Sequence, residues 1–283
     1  MPADPLIAVT GSTGAVGSRV AARLAELGAR RRLVVRDAAR APDDPGAEVR
    51  VASGYADAAA MRAALEGADT VLLVPARESE DRVQEHLSAV DAAAAAGVGR
   101  IVYLSFIGAA PDAVFTLARD HWATEERIRA TGLPHTFLRM SLYMDFVPSM
   151  VGEDGVIRGP GGDGRMGAIL RDDVAAAAAA VLTSGGHDGR TYELTGPEAF
   201  TFAQAAELLT RLTGGTVTYE EETEEQAWAS RRASGAPDWE IRGWVSSYLA
   251  VRAGELAAVT GDVRALTGRA PTSLAAHLAT QGT

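Results

Sequence analysis

The chain has 283 residues, 47% of them hydrophobic, and a formal net charge of −10. That length fits one large α/β domain, or a nucleotide domain with a smaller lobe built onto it. The acidic balance argues against a nucleic-acid surface, which needs a basic stripe to replace phosphate counterions. No cysteine is present, so thiol catalysis, cysteine-ligated zinc, iron–sulfur clusters and disulfides are excluded. All 27 basic residues are arginine, which removes Schiff-base chemistry, a Walker-type phosphate lysine and a lysine general base. The first residues, with Pro2, Asp4 and Pro5, lack the form of a signal peptide. The Ala-rich runs fall well short of the ~20 apolar residues that span a bilayer. A cytoplasmic protein without membrane or nucleic-acid partners is expected.

In chain order, residues 6–10 form a short apolar run ended by glycine, which reads as a buried parallel strand. Val16, Val20, Leu24 and Leu27 then recur at helical spacing, and Gly28 stands where that helix would stop. Residues 33–35 and 48–52 read as strands, and Asp57 can cap a helix carrying Met61, Ala64 and Leu65. Residues 70–74 predict a strand, 81–96 a helix, 100–104 a strand, 119–131 a helix and 135–139 a strand. This alternation predicts right-handed βαβ units, hence a doubly wound parallel Rossmann sheet over residues 1–140.

Past residue 140 the rhythm changes. A Gly-rich turn spans 159–167, a helix follows Arg171, strands are expected near 190–195 and 216–220, and a helix near 201–213. Residues 141–283 are read as returning some chain to the sheet and forming a small C-terminal α+β lobe for substrate or partner. The acidic run 220–225 reads as a solvated surface.

Gly11, Gly14 and Gly17 fall between the first strand and the first helix. Gly11 permits the tight turn, Gly14 lets backbone approach a pyrophosphate, and Gly17 lets the helix pack closely on the strand. The loop Thr10, Gly11, Ser12, Thr13, Gly14, Ala15, Val16 and Gly17 is therefore the expected dinucleotide cradle, its anion facing unpaired helix amides. At the end of the second strand, an acid would suit an unmodified ribose and an arginine a 2′-phosphate. Arg36 stands there, favouring NADPH over NADH, although Asp37 beside it keeps NAD open.

Three stretches together resemble the NmrA-like branch of atypical short-chain dehydrogenases: the loop from Val9 to Gly17, residues 34–37 and residues 101–109. The stretch 118–125 and the run from Thr131 to Arg139 are closer to its type 2 quinone oxidoreductases and triphenylmethane reductases. Residues 192–197 and 266–273 also look like that group. The resemblance covers nearly the whole chain. It implies an extended Rossmann fold, NAD(P)H binding and, in enzyme members, hydride delivery to quinones or other conjugated aromatic acceptors. It also implies cofactor contacts from Tyr55, Val74, Pro75, Ser105, Phe106 and His121. Non-catalytic dinucleotide sensors that bind a protein partner belong to the same family, so that alternative stays open, as does a tailoring reductase, dehydratase or isomerase of a specific metabolic pathway. So does a homodimer. Where such proteins often carry an acid before the tyrosine of the third βα turn, this chain reads Ser53-Gly54-Tyr55.

Ordinary short-chain dehydrogenases protonate a carbonyl through a Tyr-x-x-x-Lys pair. Without lysine that pair is excluded; Leu117 and His121 occupy the corresponding positions. A quinone is already a strong electrophile, so positioning of the nicotinamide plus a modest proton source would suffice. Ser105, His121 and Tyr143 are the candidate catalytic residues. Ser105 would donate to substrate or cofactor from a strand end, or satisfy local backbone. His121 would bond the nicotinamide ribose or donate a proton, oriented by Glu125 one turn later, or be merely structural. Tyr143 would act as the acid, or shape an aromatic wall with Phe106, Trp122 and Phe146. Trp228, Trp239, Trp244 and Tyr248 would close the pocket or form the small lobe's own core. No metal site is expected, since His121 and Glu125 lack further ligands.

Overall fold

A computed structural model describes residues 4–281 of the chain, so Pro2 lies outside the described residues. Strands β1 (Ile7–Val9), β2 (Arg31–Val35), β3 (Ala47–Val51), β4 (Thr70–Leu73), β5 (Arg100–Phe106), β6 (His135–Met140) and β8 (Arg190–Leu194) form a seven-stranded sheet in the order β3-β2-β1-β4-β5-β6-β8. The register pairs Val9 with Leu33 on one side and Leu72 on the other, both in parallel. The order reverses between β1 and β4, which is the switch point where doubly wound sheets bind ligands.

Helices α1 (Ala15–Glu26), α2 (Ala58–Leu65), α3 (Arg82–Ala95), α4 (Thr116–Ala130) and α5 (Arg171–Thr183) connect these strands. In α1, Val16, Val20 and Leu24 are buried at four-residue spacing, so one apolar stripe faces the sheet. Asp57 caps α2 by accepting the Ala60 N–H at 3.0 Å. A continuous core of Ala8, Val71, Ile101, Tyr103 and Phe137 packs with Met61, Leu65, Val90 and Ile128 from the helices. The expected element order therefore holds, with ends shifted by a few residues; α4 begins three residues earlier than its periodicity suggested.

The chain separates into two compact units, each discontinuous in sequence. Among the described residues, the first comprises 4–105, 120–139 and 174–192; the second comprises 106–119, 140–173 and 193–281. In the second, β7 (Val156–Gly159) pairs in parallel with β9 (Thr218–Glu221) as a separate two-stranded sheet. The unit also holds α6 (Phe202–Thr213), α7 (Glu224–Arg232), α8 (Asp238–Arg252), α9 (Asp262–Thr267) and α10 (Leu274–Gln281). Both α6 and α7 start with a complete capping box, Thr201 with Gln204 and Thr223 with Gln226. Ala227, Ile241 and Val245 form a core flanked by Trp228 and Trp244, so those tryptophans serve the lobe's own packing. Tyr248 stacks on Phe202 at 4.9 Å. Within the acidic run, Glu222 departs from the expected solvated face. It is buried and accepts from Arg231 at 2.8 Å and Ser230 at 3.0 Å.

Among the described residues, no helix is long and apolar enough to cross a membrane.

Candidate functional site

The first unit contains a cleft of about 480 Å³ at the switch point. Thr10, Gly11, Thr13 and Gly14 line it from the glycine loop, Arg36 from the end of β2, and Tyr55, Val74 and Pro75 from the next two strand ends. Gly11 has φ +59°, the left-handed conformation that glycine adopts without steric cost. A Cβ on Gly17 would sit 2.2 Å from the Gly11 carbonyl oxygen, so only glycine lets α1 approach the loop this closely. Gly14, the N-cap of α1, supplies no side-chain cap, and the first helical bond runs from Ser18 N–H to the Gly14 carbonyl. The Ala15, Val16 and Gly17 amides therefore have no acceptor within the helix and remain for an anion.

Other loop residues act structurally. Ser12 is fully buried, and its hydroxyl donates to the Val34 carbonyl at 3.3 Å, tying the loop to β2. The Thr10 hydroxyl accepts the Val74 N–H at 2.9 Å and lies against the Leu72 carbonyl and the Tyr55 hydroxyl. Tyr55, which also reaches the Val74 carbonyl, thus seals the wall between β1 and β4. Arg36 is exposed and forms no hydrogen bond or ion pair among the described residues. Asp37, in contrast, turns back to cap the short helical turn after it by accepting the Ala39 N–H at 2.9 Å. The charge at the end of β2 that remains free for a ligand is therefore the arginine.

Two charged residues of this cleft escaped the sequence reading. Arg77 from the β4–α3 connection and Glu85 from the first turn of α3 line it, and neither side chain has a hydrogen bond or ion pair among the described residues. The available signal was position, since loops at the C-terminal ends of parallel strands carry ligands.

A second constellation lies inside the first unit. Ser105 and Glu125 are fully buried, and the serine hydroxyl donates to the Glu125 carboxylate at 2.6 Å. Arg139 clamps the same carboxylate with two bonds at 2.8 and 2.7 Å, and Arg129 adds one at 3.0 Å. Glu125 therefore orients Ser105 and the two arginines rather than His121, as the i,i+4 spacing had suggested. His121 is buried, with Nδ1 at 2.9 Å from the Tyr103 hydroxyl and Nε2 at 3.2 Å from Arg82. Arginine can only donate, so Nε2 accepts and the ring proton sits on Nδ1 against Tyr103. Burial, with the nearby Arg82, His86 and Arg139, depresses the His121 pKa well below the usual imidazole value. The ring is held neutral, with both nitrogens engaged. Arg82 pairs with Asp120 at 3.1 Å. His86 accepts the Ala76 N–H at 2.9 Å and bonds Thr124 at 2.9 Å, and desolvation followed by the Arg82 charge lowers its pKa to about 3.

In the second unit, Arg171 stacks over Tyr143 and Phe146, at 4.6 and 4.3 Å from their ring centres, and pairs with Asp145. The Tyr143 hydroxyl lies against the Met140 sulfur, and burial above all holds its phenol up from the usual tyrosine value. Phe106 packs instead on Phe115, with ring centres 5.0 Å apart. Trp122, half-buried, belongs to the first unit. Within the second unit, Tyr143 and Phe146 keep the expected contact, with ring centres 6.3 Å apart.

A parallel sheet with a glycine-lined crevice and a free arginine at the β2 end defines a dinucleotide-type α/β protein. The family model described as "NmrA-like family" matches residues 3–230. Quinone oxidoreductase 2 of Escherichia coli is 36% identical over 82% of this chain and 83% of its own. The (4-alkanoyl-5-oxo-2,5-dihydrofuran-3-yl)methyl phosphate reductase of Streptomyces griseus subsp. griseus is 37% identical over 93% of both. A crystal structure of an NADPH-dependent quinone oxidoreductase from Escherichia coli, complexed with NADPH, superposes with a TM-score of 0.91 at 33% identity. It covers 98% of this chain and 100% of that one. The chain belongs to the NmrA-like family, as one of its oxidoreductases.

Proposed function

We propose that this protein is an NADPH-dependent reductase that delivers hydride to an electron-poor conjugated carbonyl acceptor, with quinones as the leading class. The observation that carries the reading is the cleft itself. It combines a glycine loop in which Gly17 admits no Cβ, three helix amides without helical acceptors, and Arg36 without a protein partner.

Bound NADPH would supply the hydride. The chain's own residues then do the rest. The α1 amides and the Gly11–Gly14 turn hold the pyrophosphate, and Arg36 selects the 2′-phosphate. The Thr10–Tyr55–Val74 contacts keep the adenine side of the cleft rigid. Ser105 and His121 act as positioning residues, because the first is committed to Glu125 and the second is neutral and enclosed. The packing of Tyr143 with Arg171 and its raised phenol pKa support an aromatic surface rather than an acid. With neither a Tyr-x-x-x-Lys pair nor a titrating histidine, the proton that completes reduction comes from water. This restricts the acceptor to compounds that take up hydride without prior protonation.

A second acceptor class rests on the Streptomyces relative, whose named substrate is also a conjugated carbonyl but bears a phosphate. The test is loss of reduced-cofactor absorbance when purified protein is mixed with NADPH and benzoquinones, naphthoquinones or an acyl-butenolide phosphate. Acceptor-dependent oxidation is expected. Tight NADPH binding with no oxidation above the uncatalysed rate would sink the reading.

A further inference from the structure

We propose that Glu85 reads the exocyclic amine of the cofactor's adenine, supplying from α3 the carboxylate that the third βα turn lacks. The proposal rests on the NADPH reading of the cleft. The turn after β3 presents Ser53, Gly54 and Tyr55, with no acid among them, and the Tyr55 hydroxyl is already bound to Thr10 and the Val74 carbonyl. What that turn offers a base is an apolar slot, formed by Ala52, Tyr55, Met61 and Val74. A purine seated there would satisfy its ring faces but not its amine.

Glu85 occupies the first turn of α3 and lines the same cleft. Its side chain has no hydrogen bond or ion pair among the described residues, and the residue is half-buried. Its charge reaches Tyr55, where, after burial, it helps hold the phenol up. A carboxylate only accepts, so it must be matched with a donor on the ligand. NADPH has few: ribose hydroxyls, the adenine amine and the nicotinamide carboxamide. The adenosine 2′-position carries the phosphate and belongs with Arg36. With the pyrophosphate over the α1 amides and the 2′-phosphate at Arg36, the adenine would fall to the part of the cleft lined by Tyr55 and Glu85. The donor that meets Glu85 there is the adenine amine.

The bland account is that an acid in a first helical turn complements the helix dipole. That account predicts no discrimination between bases. The probe is nicotinamide hypoxanthine dinucleotide phosphate, in reduced form, in which an acceptor oxygen replaces the amine. Dissociation constants are measured for it and for NADPH by quenching of intrinsic fluorescence. The unmodified protein should prefer NADPH by about tenfold, the value of one hydrogen bond to a charged group. Glu85→Ala should weaken NADPH by a similar factor while leaving the hypoxanthine analogue nearly unchanged. Glu85→Gln, whose amide can accept or donate, should bind both about equally. Equal affinities for the unmodified protein, or an equal loss of both ligands in Glu85→Ala, would overturn the proposal. Failure of both nucleotides to bind would overturn the cofactor reading and the proposal with it.

Discussion

Arg36 offers the sharpest test of the cofactor assignment, because it is exposed and makes no contact that holds the fold together. Arg36→Ala should therefore leave the unfolding midpoint unchanged within experimental error. A guanidinium facing a phosphate forms charge-assisted hydrogen bonds, at the low end of the charged range for a site this open to solvent. NADPH affinity should accordingly fall about tenfold, while NADH affinity stays within a factor of about two. Arg77 lines the same cleft without a partner, so a residual preference for NADPH should survive and should vanish in Arg36→Ala/Arg77→Ala. Because the pair is solvent-exposed, the preference of the unmodified protein should shrink between about 0.05 and 0.5 M salt, as the Debye length contracts. Calorimetric titration of both nucleotides at both salt concentrations measures all of this. An unchanged NADPH/NADH ratio in Arg36→Ala, or an equal loss of both, would refute the 2′-phosphate role.

Other expectations follow from the packed residues. Gly17→Ala puts a methyl group 2.2 Å from the Gly11 oxygen. It should cost about 1–3 kcal/mol of stability by overpacking and abolish tight NADPH binding, read by denaturant melts and titration. Glu125→Gln leaves Arg139 and Arg129 short of a buried countercharge and should cost about 3–5 kcal/mol. Ser105→Ala removes one bond to that carboxylate, so it should cost about 1.5–3 kcal/mol yet keep kcat within about twofold; a hundredfold fall in kcat at unchanged KM would restore Ser105 as a catalytic residue. His86 is neutral in the fold, with its pKa lowered from 6.5 to about 3, so the unfolded chain binds the extra proton first. Stability should therefore be full above about pH 6.5 and decline as pH falls towards 3, by at most ~1.4 kcal/mol per unit from His86, with the lowered His121 adding in the same direction. The raised Asp120 carboxyl opposes part of that slope. A urea midpoint that is flat between pH 7.5 and 5 would contradict it.

The parts of the molecule legible in the sequence were those determined over short distances. Gly11 and Gly17 announced a positive φ and a close helix approach because both constraints act within one turn. Arg36 was readable because a strand ends at Val35 and the next residue must emerge at the sheet edge. Long-range partners were not readable. The i,i+4 relation placed Glu125 beside His121 on α4, but the winner for that carboxylate is Arg139, which reaches it from β6. Ser12 has the composition of a phosphate ligand, yet packing turns it to Val34. β7 is a four-residue strand inside a glycine-rich stretch, and only its pairing with β9 defines it. Arg77 and Glu85 come to line the cleft because the β4–α3 connection and the first turn of α3 lie beside it, which no local pattern encodes.

The same geometry limits the chemistry. In the first unit, Ser105 is committed to Glu125, His121 to Arg82 and Tyr103, and His86 to Ala76 and Thr124. Holding two histidines neutral beside Arg82 costs nothing in acid–base function only if the reaction asks for none. A saturated ketone demands a proton in the transition state, and no lysine exists here to lower a tyrosine's pKa for that task. A quinone or acyl-butenolide spreads the incoming charge over its own conjugated oxygen and needs only to be held against the nicotinamide. Turnover of simple aliphatic ketones should therefore be undetectable under conditions in which quinones are reduced. The rate with a quinone should be nearly independent of pH between about 6 and 8, because His86 and His121 stay neutral throughout that window. A bell-shaped profile of kcat centred in that window would reveal an acid or base in contact with the acceptor and refute the assignment of the proton to water.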